Sequence, residues 1–295
     1  MKAIIFGIKG QDGYFLSKLL KEKKVEVIGI STTGNNCIIG DVSDFDFVKK
    51  IIKEHQPDYI FDFAAISSTS HEVIFENYKT IENGTINILE GVRLYSPKTR
   101  VFLSGSALQF KNSGKPINEK TPFEASSAYS ASRIASTYMA RYYRKKFRIK
   151  VYIGYFFNHD SILRTEQHIN KKISEAIKRI DSGSTEKIEI GDLNVKKEFN
   201  FAGDIVEAIW LLVNQEHLLE VVIGSGKAYS IKKYIIDLFK IINKDWKKYV
   251  VIKEEFKSEY RVLVSDPKLI KSLGWKPKTS FSQIIHIMLT SDHRS

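Results

Sequence analysis

A short apolar run, Ala3-Ile4-Ile5-Phe6, breaks into glycines spaced G-x-x-G-x-x-G over Gly7-Ile8-Lys9-Gly10-Gln11-Asp12-Gly13, and an amphipathic segment near Asp12–Lys23 follows at once. That order of strand, glycine turn and helix leaves few folds open. The glycines allow a tight reversal and let the backbone approach a pyrophosphate. The new helix adds unpaired N–H groups and the positive end of its dipole. The expectation is a dinucleotide-binding βαβ unit, with Gly7, Lys9, Gly10, Gln11, Asp12 and Gly13 at the cofactor.

The same alternation continues. Strand-like runs at Val25–Ile30, Tyr59–Phe63, Arg100–Leu103 and Lys150–Tyr155 alternate with helical segments near Phe45–Glu54, Glu76–Leu94 and Ala128–Phe147. Short continuous apolar strands between amphipathic helices predict a parallel sheet covered on both faces. Beyond Asn158 the rhythm loosens, with helices near Gln167–Arg179, Asp204–Val213 and Ile231–Ile242 separated by short strands. The expected fold is α/β: a Rossmann-type doubly wound parallel sheet over 1–157, with a return segment near 201–224. A smaller mixed α/β lobe, mostly 158–295, closes a cleft over the sheet's carboxyl edge.

Composition narrows the function classes. No stretch approaches the about twenty apolar residues of a membrane span. The N-terminus runs directly into a strand, leaving no room for a signal peptide. One cysteine, Cys37, excludes an internal disulfide and fits a reducing, cytoplasmic setting. The seven histidines show no ligand spacing with it, so no metal site is expected. The formal net charge is +12, but the lysines are scattered in short clusters such as Lys21–Lys24. No recognition motif accompanies them, so the expected partner is a small anionic substrate rather than nucleic acid.

The second strand's end, Gly29-Ile30-Ser31-Thr32-Thr33, carries no acidic residue to hold a ribose diol. Lys9 could face a 2′-phosphate, with the hydroxyls of Ser31 and Thr32 beside it. This favours NADP(H) over NAD(H).

The opening glycine motif resembles that of the GDP-mannose 4,6-dehydratases, which belong to the extended short-chain dehydrogenase/reductases. The likeness continues through Gly40-Asp41-Val42-Ser43-Asp44, Phe63-Ala64-Ala65, Asn83–Glu90, Phe157-Asn158-His159-Asp160-Ser161, Lys171-Lys172-Ile173, Gly191–Glu198 and Leu273-Gly274-Trp275-Lys276-Pro277. It covers essentially the whole chain. The resemblance implies cofactor contacts from Asp41, Val42, Phe63, Ala64, Ala65 and Phe156. It implies substrate contacts from Asn158, Lys172 and Lys197, with Lys257 or Arg261 in place of an arginine near the last strand. It also implies a GDP-linked sugar and pairing through two long helices, hence a homodimer.

Short-chain dehydrogenases use Tyr-x-x-x-Lys on one helix and a serine or threonine from the preceding strand's end. The tyrosine passes the hydroxyl proton as hydride moves. It titrates near about 10 when free, so a fixed cation beside it is useful. A four-residue spacing puts the two on one helical face. Here the set matches as Ser106, Tyr129 and Arg133; arginine stands where the family has lysine, and the two are not equivalent. Two residues after the matched serine, the dehydratases carry a glutamate that removes a proton beside the transient 4-keto group. This chain has Leu108 there. Glu119, Glu124 and His159 are the remaining candidates for a base. The leading expectation is therefore a reductase of a 4-keto (6-deoxy) nucleotide sugar. A 4,6-dehydratase, an epimerase and a non-catalytic dinucleotide-binding protein stand as alternatives.

Overall fold

The computed structural model describes residues 1–253 and 258–290. In chain order, the first part comprises β1 (Lys2–Phe6), α1 (Gln11–Glu22), β2 (Glu26–Ser31), β3 (Ile38–Ile39), α2 (Phe45–His55), β4 (Tyr59–Asp62), α3 (Ile74–Asn77), α4 (Gly84–Tyr95), β5 (Arg100–Ser106), α5 (Ala128–Phe147) and β6 (Lys150–Phe156). Then come β7 (His159–Asp160), α6 (Ile169–Asp181), β8 (Ile188–Ile190), β9 (Lys196–Glu198), β10 (Asn200–Phe201), α7 (Ala202–Val213) and β11 (Glu220–Ile223). The chain ends with β12 (Ala228–Ser230), α8 (Ile231–Ile241), β13 (Val250–Ile252), β14 (Val262–Leu263), α9 (Lys268–Ser272) and α10 (Phe281–Thr290).

Seven strands form one parallel sheet in the order β3-β2-β1-β4-β5-β6-β11. Strand order reverses between β1 and β4, and the carboxyl edge there is where ligands of such sheets bind. The central strands are buried because helices cover both faces, and apolar up to their carboxyl ends: every residue of Tyr59–Asp62 is buried. One core, with Ile4, Ile60, Val101 and Val151, lies against α2, α4 and α5. The other, with Ile5, Phe61 and Phe102, lies against α1 and α7. A third core, from α6, α8, α10 and β8, fills the remaining lobe around Ile177, Tyr234 and Met288.

Local chemistry sets the element ends. The Asp44 carboxylate accepts the Phe47 N–H and starts α2; Gln56, at φ 44°, ends it in the left-handed region. Ser127 and Ser130 cap each other's backbone at the start of α5, and Arg148, at φ 60°, terminates it. Three features differ from the sequence expectation. The helix expected over Glu76–Leu94 is broken by a π-helical stretch, Tyr78–Asn83. The extra residue per turn carries the helix to Gly84, where an added Cβ would lie 2.9 Å from Val42 Cγ1. Strand β5 runs three residues past Leu103, because β6 pairs with it as far as Ser106↔Phe156. Helices α9 and α10, unforeseen, pack on the sheet and the lobe respectively.

Candidate active site

Two clefts open along the carboxyl edge and share Phe63. The first, of about 1010 Å³, runs from the glycine turn past Ser31, Thr32, Asp41, Val42, Ala64 and Ala65. Gly7 sits at φ +81°, and a Cβ there would come within 3.0 Å of the Ala64 nitrogen. A Cβ on Gly13 would lie 2.4 Å from the Gly7 carbonyl oxygen. Gly10 caps α1 with no side-chain hydrogen bond, leaving the helix's first amides to another acceptor. This bare turn at a helix N-terminus is a cradle that side chains would fill, and it fits a dinucleotide diphosphate. At its outer end Lys9 Nζ donates to the Asn35 carbonyl at 2.6 Å. The Asp41 carboxylate accepts from Ser43 N and Oγ and pairs with Lys79 at 3.2 Å. Its burial favours the neutral acid, but these donors override that and hold it below the ordinary range.

The second cleft, of about 860 Å³, is lined by Ser106, Leu108, Tyr129, Arg133 and Phe156, with Asn158, His159, Arg164, His168 and Tyr260 opposite. Ser106 ends β5. Its Oγ accepts the Leu108 N–H at 3.2 Å, which leaves its own hydrogen free to donate. Tyr129 and Arg133 lie on one face of α5, both buried. Arg133 Nη1 donates to the Ser104 carbonyl at 2.5 Å and to Ser104 Oγ at 3.0 Å, and Nε lies 3.4 Å from Tyr129 Oη. The guanidinium is thus pinned to β5 while its charge stays beside the phenol oxygen. Beneath it, Asp62 is buried at the end of β4. Desolvation pushes its carboxyl up to about 7, against the pull of Arg133 and the Ala64 amide.

Gln109, which nothing in the sequence singled out, holds this set together. Its Oε1 accepts the Ser106 N–H at 2.7 Å, and its Nε2 donates to the Arg133 carbonyl and Thr137 Oγ1, both at 3.0 Å. One fully buried amide fixes the end of β5 against the catalytic turn of α5. The spare candidates for a base are otherwise engaged. Glu119 Oε1 accepts the Val222 N–H at 2.7 Å, and exposed Glu124 pairs with Lys111 at 3.7 Å. His159 is held by Asp12 at 2.9 Å and by the Phe157 carbonyl at 3.0 Å. Among the described residues, Asp12 is the only carboxylate lining this cleft, and burial is outweighed by His159, which keeps it ionised.

On the lobe side, Asn158 lines the cleft, and its Oδ1 is buried without a hydrogen-bond partner among the described residues. Arg164 and His168, also missed, stand beside it. Arg164 Nη1 lies 3.2 Å from His168 Nε2; arginine only donates, so that nitrogen accepts and the ring is neutral. Burial, reinforced by Arg164, brings His168 down to about 4. Lys197 is buried behind this group, and desolvation lowers it to about 8 against the attraction of Asp160.

Several expected contacts are not brought to the clefts. Helix phase turns Lys171 inward, where it pairs with Glu175 at 2.7 Å, and leaves Lys172 on the solvent face. Arg261 is exposed, and its carbonyl accepts the Lys196 N–H. Lys257 lies outside the described residues. Gln11 and Asp12 belong to the glycine turn, but their side chains reach across to His159 and Ser161 rather than into the first cleft. Lys9 is committed to Asn35.

A family model for GDP-mannose 4,6 dehydratase matches residues 4–288. GDP-mannose 4,6 dehydratase 1 of Arabidopsis thaliana is 29% identical over 98% of this chain and 89% of its own length. Among solved structures, UDP-glucose 4-epimerase of Thermus thermophilus, in complex with NAD, superposes with a TM-score of 0.86 at 18% identity, covering 98% of both chains. RMD from Pseudomonas aeruginosa, complexed with NADPH, gives 0.85 at 18% identity, covering 98% of this chain and 97% of its own. At that identity the likeness is one of fold. No helix among the described residues is long and apolar enough to cross a membrane.

Proposed function

Because the chain belongs to the GDP-mannose 4,6-dehydratase family, we propose that it binds a nicotinamide dinucleotide along the two clefts and acts at C4 of a nucleotide sugar, as an NADP(H)-dependent 4-ketoreductase. The observation that carries this reading is the wall of the second cleft. Ser106, Tyr129 and Arg133 converge there, while Leu108 occupies the position from which the dehydratases abstract a proton. A bound reduced nicotinamide supplies the hydride that reaches the C4 carbonyl carbon. Ser106 donates a hydrogen bond to the carbonyl oxygen, and Tyr129 gives that oxygen its proton as the hydride arrives. Arg133 holds a positive charge beside the phenol, stabilising the tyrosinate left behind. Arginine stays protonated, so Tyr129 recovers its proton from the cleft rather than through its cationic neighbour.

The rest of the reading follows the same division. Residues 1–157 with 201–224 serve the dinucleotide, and the remainder serves the nucleotide sugar, GDP-linked as in the family. Ser31, Thr32 and the absence of an acid after β2 support NADP(H) over NAD(H). Exposed Phe75, Tyr78, Leu94, Tyr138 and Tyr142 lie on α3, the π-helical stretch after it, α4 and α5, a face that supports pairing of two copies. A cytoplasmic location fits this activity.

The family match favours a second reading, a 4,6-dehydratase with a displaced base. Incubation with NADPH and a GDP-linked 4-keto-6-deoxy hexose separates them. Stoichiometric NADPH oxidation, abolished in Tyr129→Phe, supports the reductase. Loss of water from GDP-mannose with no net cofactor change supports the dehydratase.

A further inference from the structure

The substrate-side loop, Phe157–Ser161, is fastened to the glycine turn by side chains that a phosphate site does not need. Gln11 Nε2 donates to the His159 carbonyl at 3.3 Å, and its Oε1 accepts the Ser161 hydroxyl at 3.0 Å. Asp12 Oδ1 lies 2.9 Å from His159 Nε2, and the Phe157 carbonyl lies 3.0 Å from Nδ1. A carbonyl only accepts, so Nδ1 carries a proton. The Asp12 carboxylate takes up the other ring nitrogen, Nε2. His159, 5% exposed, thus has both ring nitrogens engaged within the protein, and neither is open to a substrate. Arg164 Nη2 adds a second side-chain donor to the His159 carbonyl at 3.1 Å.

Asp12 lies in the first turn of α1, where its negative charge opposes a bound diphosphate; its contact with His159 holds the carboxylate toward the loop and leaves the helix's positive end to the ligand. Asn158 lies between the two anchored residues Phe157 and His159, so its Oδ1, without a partner among the described residues, is held in the cleft by the same fastening.

Resting on the reading of the clefts given above, we infer that His159 is a positioning residue: with Asp12 and Gln11 it hangs the substrate loop on the phosphate-binding helix, so that dinucleotide binding fixes the sugar side of the active cleft. The two ligands then bind with positive coupling, the dinucleotide presetting the loop.

Hydrogen exchange of the amides at 157–168, with and without saturating NADPH, tests this without a sugar substrate. In the native protein NADPH slows exchange across the loop by about fivefold or more, the lower range of coupling between sites. In Asp12→Ala and His159→Phe, compared with NADPH at saturation so that any change in its affinity does not enter, the slowing falls below about twofold. Asp12→Asn keeps a hydrogen-bond acceptor without the charge and restores part of it. Should either truncation fail to fold, this isostere carries the comparison alone. Variants that bind NADPH and slow exchange as the native protein does would overturn the inference. Failure of the native protein to bind NADPH or NADH would overturn the functional reading itself, and this inference with it.

Discussion

Glu198, at the end of β9, is completely buried and has no cation against it among the described residues. Six donors satisfy it instead: the N–H groups of Ser225, Gly226 and Ser265 at 2.6, 3.2 and 2.6 Å, the hydroxyls of Ser225 and Ser265 at 3.1 and 2.6 Å, and Asn200 Nδ2 at 3.1 Å. The carboxylate thereby joins β9, next to Lys197, to the loop after β11 and to the segment after β14. Glu198→Ala removes the acceptor of all six donors. The hydroxyls and the amide can turn to other partners, and the Ser225 N–H keeps Asn200 Oδ1 at 3.0 Å. The Ser265 N–H is left orphaned in the interior, whereas exposed Gly226 can turn its N–H to water. At about 2 kcal/mol for the buried unsatisfied group and about 1 kcal/mol for the hydrogen bond lost at Gly226, the expected loss is about 3 kcal/mol. For a chain of 295 residues this lowers the melting temperature by about 5 °C. Glu198→Gln keeps one oxygen and loses about half as much. Urea unfolding followed by circular dichroism, with thermal scans at fixed rate, measures both. Losses within about 1 kcal/mol of zero for both variants would refute the premise that the buried Ser265 N–H has no alternative partner.

Gln109→Leu, which cuts the link between β5 and α5, is expected to lower kcat about tenfold or more while NADPH affinity stays within about twofold; an unchanged kcat would remove Gln109 from the positioning of Ser106 and Tyr129. Asp62, raised to about 7 from 3.8, keeps in the folded protein a proton that the unfolded chain releases. Its share of stability is full below pH about 4 and falls by about 4 kcal/mol as pH rises to about 7. Subtracting the Asp62→Asn stability curve from the native one should show that slope, and a flat difference would contradict it. Lys197, lowered to about 8, is charged below that pH and neutral above it. The kcat/KM for a diphosphate-linked substrate should fall as pH rises through about 8, through KM, and should be low and flat in this range in Lys197→Met.

Much of the architecture was legible because it rests on periodicities. The bounds of α5 were read to the residue, since Ser127 supplies a capping hydroxyl and Arg148 follows the last apolar position. The glycine turn was legible because backbone proximity at Gly7 and Gly13 excludes a side chain. What was missed depends on the direction of a side chain, which spacing does not encode. Lys171 and Lys172 are neighbours in sequence but point a helical turn's fraction apart, one into the lobe and one to solvent. Gln11 and Asp12 sit within a phosphate motif, yet their partners lie about 150 positions away. Gln109 carries no motif; only the approach of α5 to the end of β5 gives its amide a role. The π-helical stretch over Tyr78–Asn83 answers to the close approach of Gly84 and Val42, a tertiary contact.

The most direct test of hydride transfer without elimination uses NADPH deuterated at the transferred position, a GDP-linked 4-keto-6-deoxy hexose, and mass analysis of the sugar product. The account predicts one deuterium at C4, one NADPH oxidised for each sugar reduced, and no water lost from GDP-mannose in a parallel reaction. Conversion of GDP-mannose to its 4-keto-6-deoxy product with the cofactor returned unchanged, and no deuterium entering the keto sugar, would contradict it and require a base in the cleft beside Leu108.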